Sequence, residues 1–402
     1  MRLIGFGHTG LGAAVLAGVI SVCMGLTEPA FASLDSCVAA IRSQAVKAGV
    51  SRSTVEAALR DVAYDEKAVR FSTSQPEYKT PIWDYLAFLV DDARIEDGRA
   101  MLRRHATTLA NVEKRYGVDR HIVVAVWGVE SDYGQFRGDF HVPHALANVA
   151  CAGRRAKYFR SELIEILKIV DRRDVRLSDL QGSWAGAFGQ TQFMPSTYRR
   201  LAVDFDGDGR KDLVNSVPDA LASTANYLKK SGWVTGMPWG YEVKLPKGYS
   251  GPSGRKKRAS VTAWGKRGVR HLDGGDLTGA ADAGLLLPAG AEGPAFLVFK
   301  NFDAIYSYNV AESYALAISH LADRLRGAGP FKVDWPTADP GLSRAERLEL
   351  QKLLLRAGYD IGEADGRVGA ATRAGIRQAE ARFGFPQTGR PGQRIYKALG
   401  GR

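Results

Sequence analysis

Glu130 ends an uninterrupted apolar run. Ile122–Val129 carries no charge, and Glu130, Ser131 and Asp132 follow directly. A helix apolar on every face is a buried helix. A carboxylate at its end is partly desolvated, which disfavours the charged form and raises its pKa. A carboxylic acid still protonated near neutral pH can donate a proton to a leaving group. The same pattern also suits a buried Glu held by an Arg, because ion pairs perturb carboxylates as well. A second stretch, GSWAGAFGQTQFMPSTY (Gly182–Tyr198), sets glycines and glutamines among aromatics. Gly lets backbone and ligand approach closely. Gln192 both donates and accepts, which suits the N-acetyl amide of a sugar, and Trp184, Phe188 and Tyr198 offer faces for sugar rings. A third, NFDAIYSYNVAESY (Asn301–Tyr314), places Tyr308 beside Asn309, with Tyr314 further on. A fourth, DFDGDGRKDLVN (Asp204–Asn215), has the spacing of an EF-hand calcium loop. Asp204, Asp206 and Asp208 occupy the first three ligand positions, Gly209 the turn, and Arg210 offers its carbonyl. Asn215 stands where a bidentate Glu is expected.

The elements that position these residues read mostly as helix between residues 33 and 235. SCVAAIRSQAVKAGV, STVEAALRDV and AKYFRSELIEILKIVDRRDV carry helical spacing. Glu96–Val118 is one long amphipathic pattern stopped by Gly117, and Asp119 is a plausible N-cap for a helix over Arg120–Glu130. Residues 240–300 are richer in Gly and Pro, with short strand-like runs such as LLLP and AFLVF. AESYALAISHLADRLR returns to helix, and the proline-rich residues 334–343 read as a linker.

The chain has 402 residues, 45% hydrophobic and 24% charged, which is globular composition with length for more than one domain. Arg2, an apolar stretch over Leu11–Leu26 and Ala30-Phe31-Ala32 before Ser33 read as a secretory signal peptide, residues 1–32. Val22 before Cys23 argues against a lipoprotein anchor. Export leaves Cys37 and Cys151, an even pair that reads as a disulfide, with two buried thiols as the other reading. The net charge of +12 favours anionic partners such as wall material or membrane head groups. The basic run Gly254–Arg258 reads as a solvated loop rather than a nucleic-acid arm, and no nucleic-acid motif is present.

The last sixty residues give a helix, an Asp365-Gly366 turn and a second helix from near Ala371. Leu350-Gln351, Leu354, Gly358-Tyr359, Asp365-Gly366, Gly369, Thr372-Arg373 and Ile376 resemble the three-helix peptidoglycan-binding module of wall hydrolases; Glu380 departs from that pattern. The other stretches together resemble the B-type membrane-bound lytic transglycosylases. GVESDYG matches that family's GVE–T–WG, GAFGQTQFMPSTY its GAMG–GQFMPSSY, and NFDAIYSYN its NF–AI–YN. The resemblance implies a mainly α protein. A lysozyme-like helical catalytic domain with a small β-containing insertion spans 33–333, and a peptidoglycan-binding domain follows at 344–402. It implies Glu130 as the single catalytic acid and base, with Tyr85, Ser183, Gln192, Tyr227, Tyr308, Asn309 and Tyr314 at substrate-binding positions. It also implies closure of the calcium loop by Asp219, a structural ion with no cofactor needed for catalysis. Peptidoglycan glycan strands are the implied substrate and the periplasm the implied location. Weak association with the membrane or other wall enzymes fits, and nothing demands more than a monomer. Two other readings stand beside this one. One is a hydrolytic muramidase, which needs a second carboxylate such as Asp132 or a residue that positions water. The other is a non-catalytic wall-binding protein.

Overall fold

The structure, a computed structural model, describes residues 34–73 and 80–402; the expected signal peptide lies outside the described residues. The fold is mainly helical. Leu34–Lys47 (α1) buries Val38, Ile41 and Ala45 at helical spacing, and Arg52–Ala58 (α2) is N-capped by Ser51. Glu66–Thr73 (α3), Ile82–Leu89 (α4), Asp92–Arg104 (α5), Ala106–Tyr116 (α6) and Arg120–Ser131 (α7) follow. The long amphipathic pattern is therefore two helices. His105 breaks it with φ −108° and ψ 24°, and its ring meets the edge of Trp127 at 5.5 Å. Tertiary packing bends a segment whose periodicity would continue. Gly117 stops α6 in the left-handed conformation (φ 70°) that Gly adopts freely. Phe140–His141 (β1) pairs with Gln181–Gly182 (β2) across Val142–Ala152 (α8) and Ala156–Asp171 (α9). Pro195–Leu201 (α10) and Val217–Lys230 (α11) complete this half.

Residues 240–298 form an antiparallel sheet of Gly240–Val243 (β3), Gly254–Ser260 (β4), Asp282–Leu286 (β5) and Ala295–Val298 (β6), in the order β3-β6-β5-β4, with Val261–Lys266 (α12) beside it. The basic run expected to be a loop is thus the edge strand β4. Its register shifts between Gly254 and Arg258, and Gly284 opposite lacks the Cβ that would strike the Arg255 carbonyl at 2.4 Å. Two of its arginines are anchored. Arg255 stacks on Tyr306 at 3.8 Å, and both Arg255 and Arg258 pair with Asp303. Charge on an edge strand also discourages pairing with other chains.

Lys300–Asn309 (α13) and Glu312–Leu325 (α14) return to the main core, where α14 packs along α7. Arg344–Arg356 (α15), Ala370–Arg382 (α16) and Gln393–Ala398 (α17) form the C-terminal three-helix unit around Leu342, Leu350, Leu354 and Ile376. Leu342 lies inside the stretch expected to be a linker and is fully buried in that unit's core. Gly341 bridges to Gly392, and the Asp339 carboxylate meets Arg390. Prolines restrict the backbone there but do not prevent packing. Glu380, the departure from the module's pattern, is buried and accepts from Thr388 Oγ1 (2.6 Å) and the Gly389 N–H (2.8 Å).

The unit is docked on the rest of the protein. Arg390 forks onto buried Asp84 of α4 at 2.6 Å for each nitrogen, and Arg347 lies over the Phe88 ring at 4.4 Å. Cys37 on α1 and Cys151 on α8 are joined by a disulfide, with their Cα atoms 5.9 Å apart.

Candidate active site

Helix α7 starts where the Asp119 side chain accepts from the His121 N–H at 2.8 Å. Ile122–Gly128 is buried throughout, enclosed by α5, α6, α11 and α14. A helix buried all round delivers its end into the interior, and Glu130 sits in the last turn. Glu130 Oε1 accepts a hydrogen bond from the Tyr314 hydroxyl on α14. Burial pushes the Glu130 pKa up to about 7, and the Tyr314 hydrogen bond partly offsets that rise. The negative end of the α7 dipole acts in the same direction as burial. Tyr314 is 2% exposed. Burial and the nearby Glu130 hold the Tyr314 and Tyr308 phenols well above their ordinary value, so both stay neutral.

Behind this pair lies an aromatic wall. Tyr308 stacks on Tyr314 at 6.2 Å and meets Tyr227 at 4.7 Å. The Tyr308 hydroxyl donates to the Thr191 carbonyl (2.7 Å) and that of Tyr227 to the Ser307 carbonyl (2.7 Å). Tyr85 packs against the same core from α4. Asn309 is exposed at the end of α13.

Glu130 opens onto a cleft of about 850 Å³ that Ser183, Trp184 and Gln192 also line. The glycines of the second motif make this wall thin. A Cβ on Gly182 would meet the Ala187 carbonyl at 2.3 Å. Ser183 Oγ accepts from the Ala187 N–H at 3.0 Å. Gln192 holds φ 50°, and its Nε2 donates to the Arg137 and Gly189 carbonyls at 2.9 Å each. Its two-sided amide is therefore anchored through the donor, which orients the side chain. Of the three aromatics expected to face sugars, Trp184 alone reaches the cleft; Phe188 and Tyr198 are fully buried, and Tyr198 donates to the Lys211 carbonyl at 2.6 Å.

Asp132 does not join Glu130. It caps α7 in the left-handed conformation, and its carboxylate meets Arg94 Nε at 3.3 Å and Arg344 Nη1 at 2.6 Å. Arg344 belongs to α15, and Ala345, Leu348 and the Asp365–Arg367 turn also line the cleft. Arg367 lies over the Phe136 ring at 3.4 Å and 3.4 Å from Asp139. The C-terminal unit is thus one wall of the cleft. No local periodicity announces Arg94, Phe136, Arg344 or Arg367, because each acts on a residue distant in sequence.

In the Asp-rich loop, the carboxylates of Asp204, Asp206 and Asp219 offer oxygens within 4.8 Å of one another. Asp208, expected as a ligand, falls outside that group and accepts from the Arg210 N–H at 2.8 Å. The Asn215 amide donates to the Asp179 and Asp212 carboxylates at 3.0 Å. Asp219 is held from the first turn of α11, accepts from the Phe205 N–H (2.7 Å) and the Asp212 N–H (2.9 Å), and burial raises its pKa to about 6. Three converging carboxylates repel one another, which suits a hard oxygen-seeking cation.

Residues 33–323 match the transglycosylase SLT domain family and residues 343–399 a putative peptidoglycan binding domain. Membrane-bound lytic murein transglycosylase B of Escherichia coli K12 is 33% identical over 266 residues, 64% of this chain and 71% of that protein. The crystal structure of SltB3 from Pseudomonas aeruginosa in complex with NAG-anhNAM-pentapeptide is 44% identical and superposes with a TM-score of 0.74, covering 92% of this chain and 99% of that one. The Escherichia coli lytic transglycosylase SLT35 in complex with calcium is 28% identical with a TM-score of 0.64, covering 72% and 92%. With its matching domain, its motifs in register and its C-terminal module, this chain belongs to the transglycosylase SLT domain family of lytic murein transglycosylases.

Proposed function

We propose that Glu130 is the single acid and base with which this lytic transglycosylase cleaves the MurNAc-β-1,4-GlcNAc bond and leaves a 1,6-anhydromuramyl end. The observation that carries the assignment is the Glu130 carboxyl at the cleft, hydrogen-bonded by Tyr314, with its pKa pushed up to about 7 by burial. The neutral acid gives its proton to the glycosidic oxygen, and positive charge grows at the muramyl C1. The substrate's own N-acetyl oxygen stabilises that charge, held by cleft groups such as the oriented Gln192 and Ser183. Glu130, now ionised and stabilised by the Tyr314 hydroxyl, takes the proton from the same sugar's C6 hydroxyl. That oxygen closes on C1, and intramolecular attack benefits from proximity. Tyr227 and Tyr308, whose hydroxyls are bonded to backbone carbonyls, shape the wall behind Glu130. A hydrolytic route through Asp132 is disfavoured by its ion pairs with Arg94 and Arg344. Mass spectrometry of products released from purified peptidoglycan tests this reading. Anhydromuramyl ends are expected, and reducing ends one water heavier would replace it with a hydrolase.

The catalytic domain is assigned to residues 33–333 and the wall-binding domain to 344–402, acting in the periplasm after removal of residues 1–32. The basic edge supports adhesion to anionic wall or membrane surfaces. Residues 243–272 contain nine Lys/Arg and no Asp/Glu, and Lys244, Lys247, Lys256, Lys257, Lys266 and Arg267 are exposed. Reversing Lys256 and Lys257 to Glu is expected to weaken sedimentation with insoluble peptidoglycan at low salt and not at high salt. Equal loss at both would assign those residues a role other than electrostatic.

Asp204, Asp206 and Asp219 would hold a structural Ca²⁺, which would neutralise their mutual repulsion. At a hundredfold excess over its Kd, calcium is expected to stabilise the fold by about 2.7 kcal/mol. Thermal unfolding with calcium against chelator reads this directly. The gain should vanish in Asp219→Ala, and an equal gain in that variant would move the ion elsewhere.

A further inference from the structure

The chain leaves Glu130 through three consecutive left-handed residues: Asp132 (φ 51°), Tyr133 (φ 59°) and Gly134 (φ 84°). Only the third is glycine. L-residues hold this conformation where their surroundings impose it. Tyr133 is held by packing. Its phenol end lies close against Gly98 and Gly128, where a Cβ would come within 2.3 Å and 2.6 Å of its atoms, and its hydroxyl donates to the Arg94 carbonyl at 2.8 Å. Asp132 is held by charge. Arg344 Nη1 reaches both of its carboxylate oxygens at 2.6 Å, and Arg94 Nε reaches one at 3.3 Å.

Arg344 does more than pair with Asp132. Its Nε and Nη2 bond the two Asp91 oxygens at 2.8 Å and 3.1 Å. Asp91 in turn caps α5, accepting from the Arg94 N–H at 2.8 Å. One guanidinium therefore ties the start of α5 to the end of α7, and it comes from the first residue of α15. Fork-shaped arginine contacts of this kind fix orientation as well as distance.

We propose that Arg344 is a positioning residue for transglycosylation: acting through Asp132, it holds the strained turn that ends the Glu130 helix, so the wall-binding module is part of the active-site scaffold. The proposal rests on Glu130 as the acid and base. Without Arg344 the turn relaxes, Glu130 moves from Tyr314 and gains water, and the acid form is lost at lower pH.

The test uses the full chain and two substrates, a short soluble glycan and insoluble peptidoglycan. Arg344→Ala is expected to lower kcat on the soluble glycan about tenfold with little change in KM, and to move the alkaline limb of the pH profile downward. Arg344→Lys, which keeps charge but not the fork, should recover part of the loss. Asp132→Asn should lower kcat in the same sense, and the loss in the double variant Arg344→Ala/Asp132→Asn should be smaller than the two single losses combined, because the two residues share one contact. If Arg344→Ala does not fold, Arg344→Lys and Asp132→Asn carry the same comparison. Unchanged kcat and pH profile on the soluble glycan, with a raised KM on insoluble peptidoglycan alone, would make Arg344 a tether and overturn the proposal. Glu130→Gln is the control; activity in that variant would sink the Glu130 assignment instead, an outcome distinct from either Arg344 result.

Discussion

Glu130→Gln is expected to release anhydromuramyl products from peptidoglycan roughly 100- to 10,000-fold more slowly than the unmodified chain, the range a positioned general acid supplies. Gln keeps the size and can still accept from Tyr314, but it has no acidic proton to give. Mass spectrometry of soluble muropeptides, with thermal unfolding as a check on folding, measures the effect. Product formation within a fewfold of the unmodified chain would remove Glu130 from the chemistry. The pH dependence follows from the same geometry. The acid form is needed first, and burial holds the Glu130 pKa at about 7. Activity should stay level below that value and fall about tenfold per unit above it. The sign for stability is set by linkage. A folded pKa raised above the unfolded 4.5 means the native state binds more protons between those values. Glu130 therefore destabilises the fold progressively as pH rises from about 4.5 to 7. Glu130→Gln should then gain Tm relative to the unmodified chain at pH 8 and lose that gain near pH 4. A difference that does not vary with pH would mean that Glu130 is not desolvated.

Loss of the Cys37–Cys151 bridge is expected to have the largest effect on stability. The bridge closes a loop across a sequence separation of 114 residues. Cross-linking residues that far apart removes entropy from the unfolded chain worth about 4 to 5 kcal/mol on the chain-entropy account. It also holds α1 to the last turn of α8. Both sulfurs belong to residues packed against the core that contains Val38, Ile41 and Leu146. Cys37→Ser/Cys151→Ser should lower Tm by on the order of 10 °C, and a reductant should do the same to the unmodified chain and nothing to the variant. A variant that melts with the oxidised protein would show that packing alone carries this contact. The apolar neighbours Val38, Ile41 and Leu146 stay in place in the variant, so a small change would be credited to them.

Much of the helical plan is legible because local periodicity reports burial directly. Val38, Ile41 and Ala45 lie on one face of α1, and Ile122–Gly128 shows no polar face because α7 has no solvent side. The stop at Gly117 and the cap at Asp119 are read from residue chemistry alone. The break at His105, whose ring meets Trp127 of another helix, is not. The strand β4 was hidden for a related reason. Arg255 and Arg258 look like solvated charge until Asp303 and Tyr306, more than forty residues on, are placed against them. The linker reading of residues 334–343 followed the prolines and missed that Leu342 has a core to enter.

The same division runs through the site. A carboxyl at the end of an apolar helix marked Glu130 as a candidate acid in the sequence, and the motifs that carry the resemblance singled it out and pointed to the family and its wall-binding module. Loop spacing also pointed to Asp204 and Asp206, and the resemblance to Asp219, because a short Gly-punctuated loop limits where its side chains go. Only the tertiary structure decided which partner Glu130 has, that Asp208 stays outside the carboxylate group, and that Asp132 faces Arg344 and Arg94. These depend on pairings between residues up to 212 positions apart, as for Asp132 and Arg344. Side-chain period and propensity act over a few residues, whereas charge pairing and hydrogen bonding act through space. Local sequence therefore carries the first kind of information, and the packed chain carries the second.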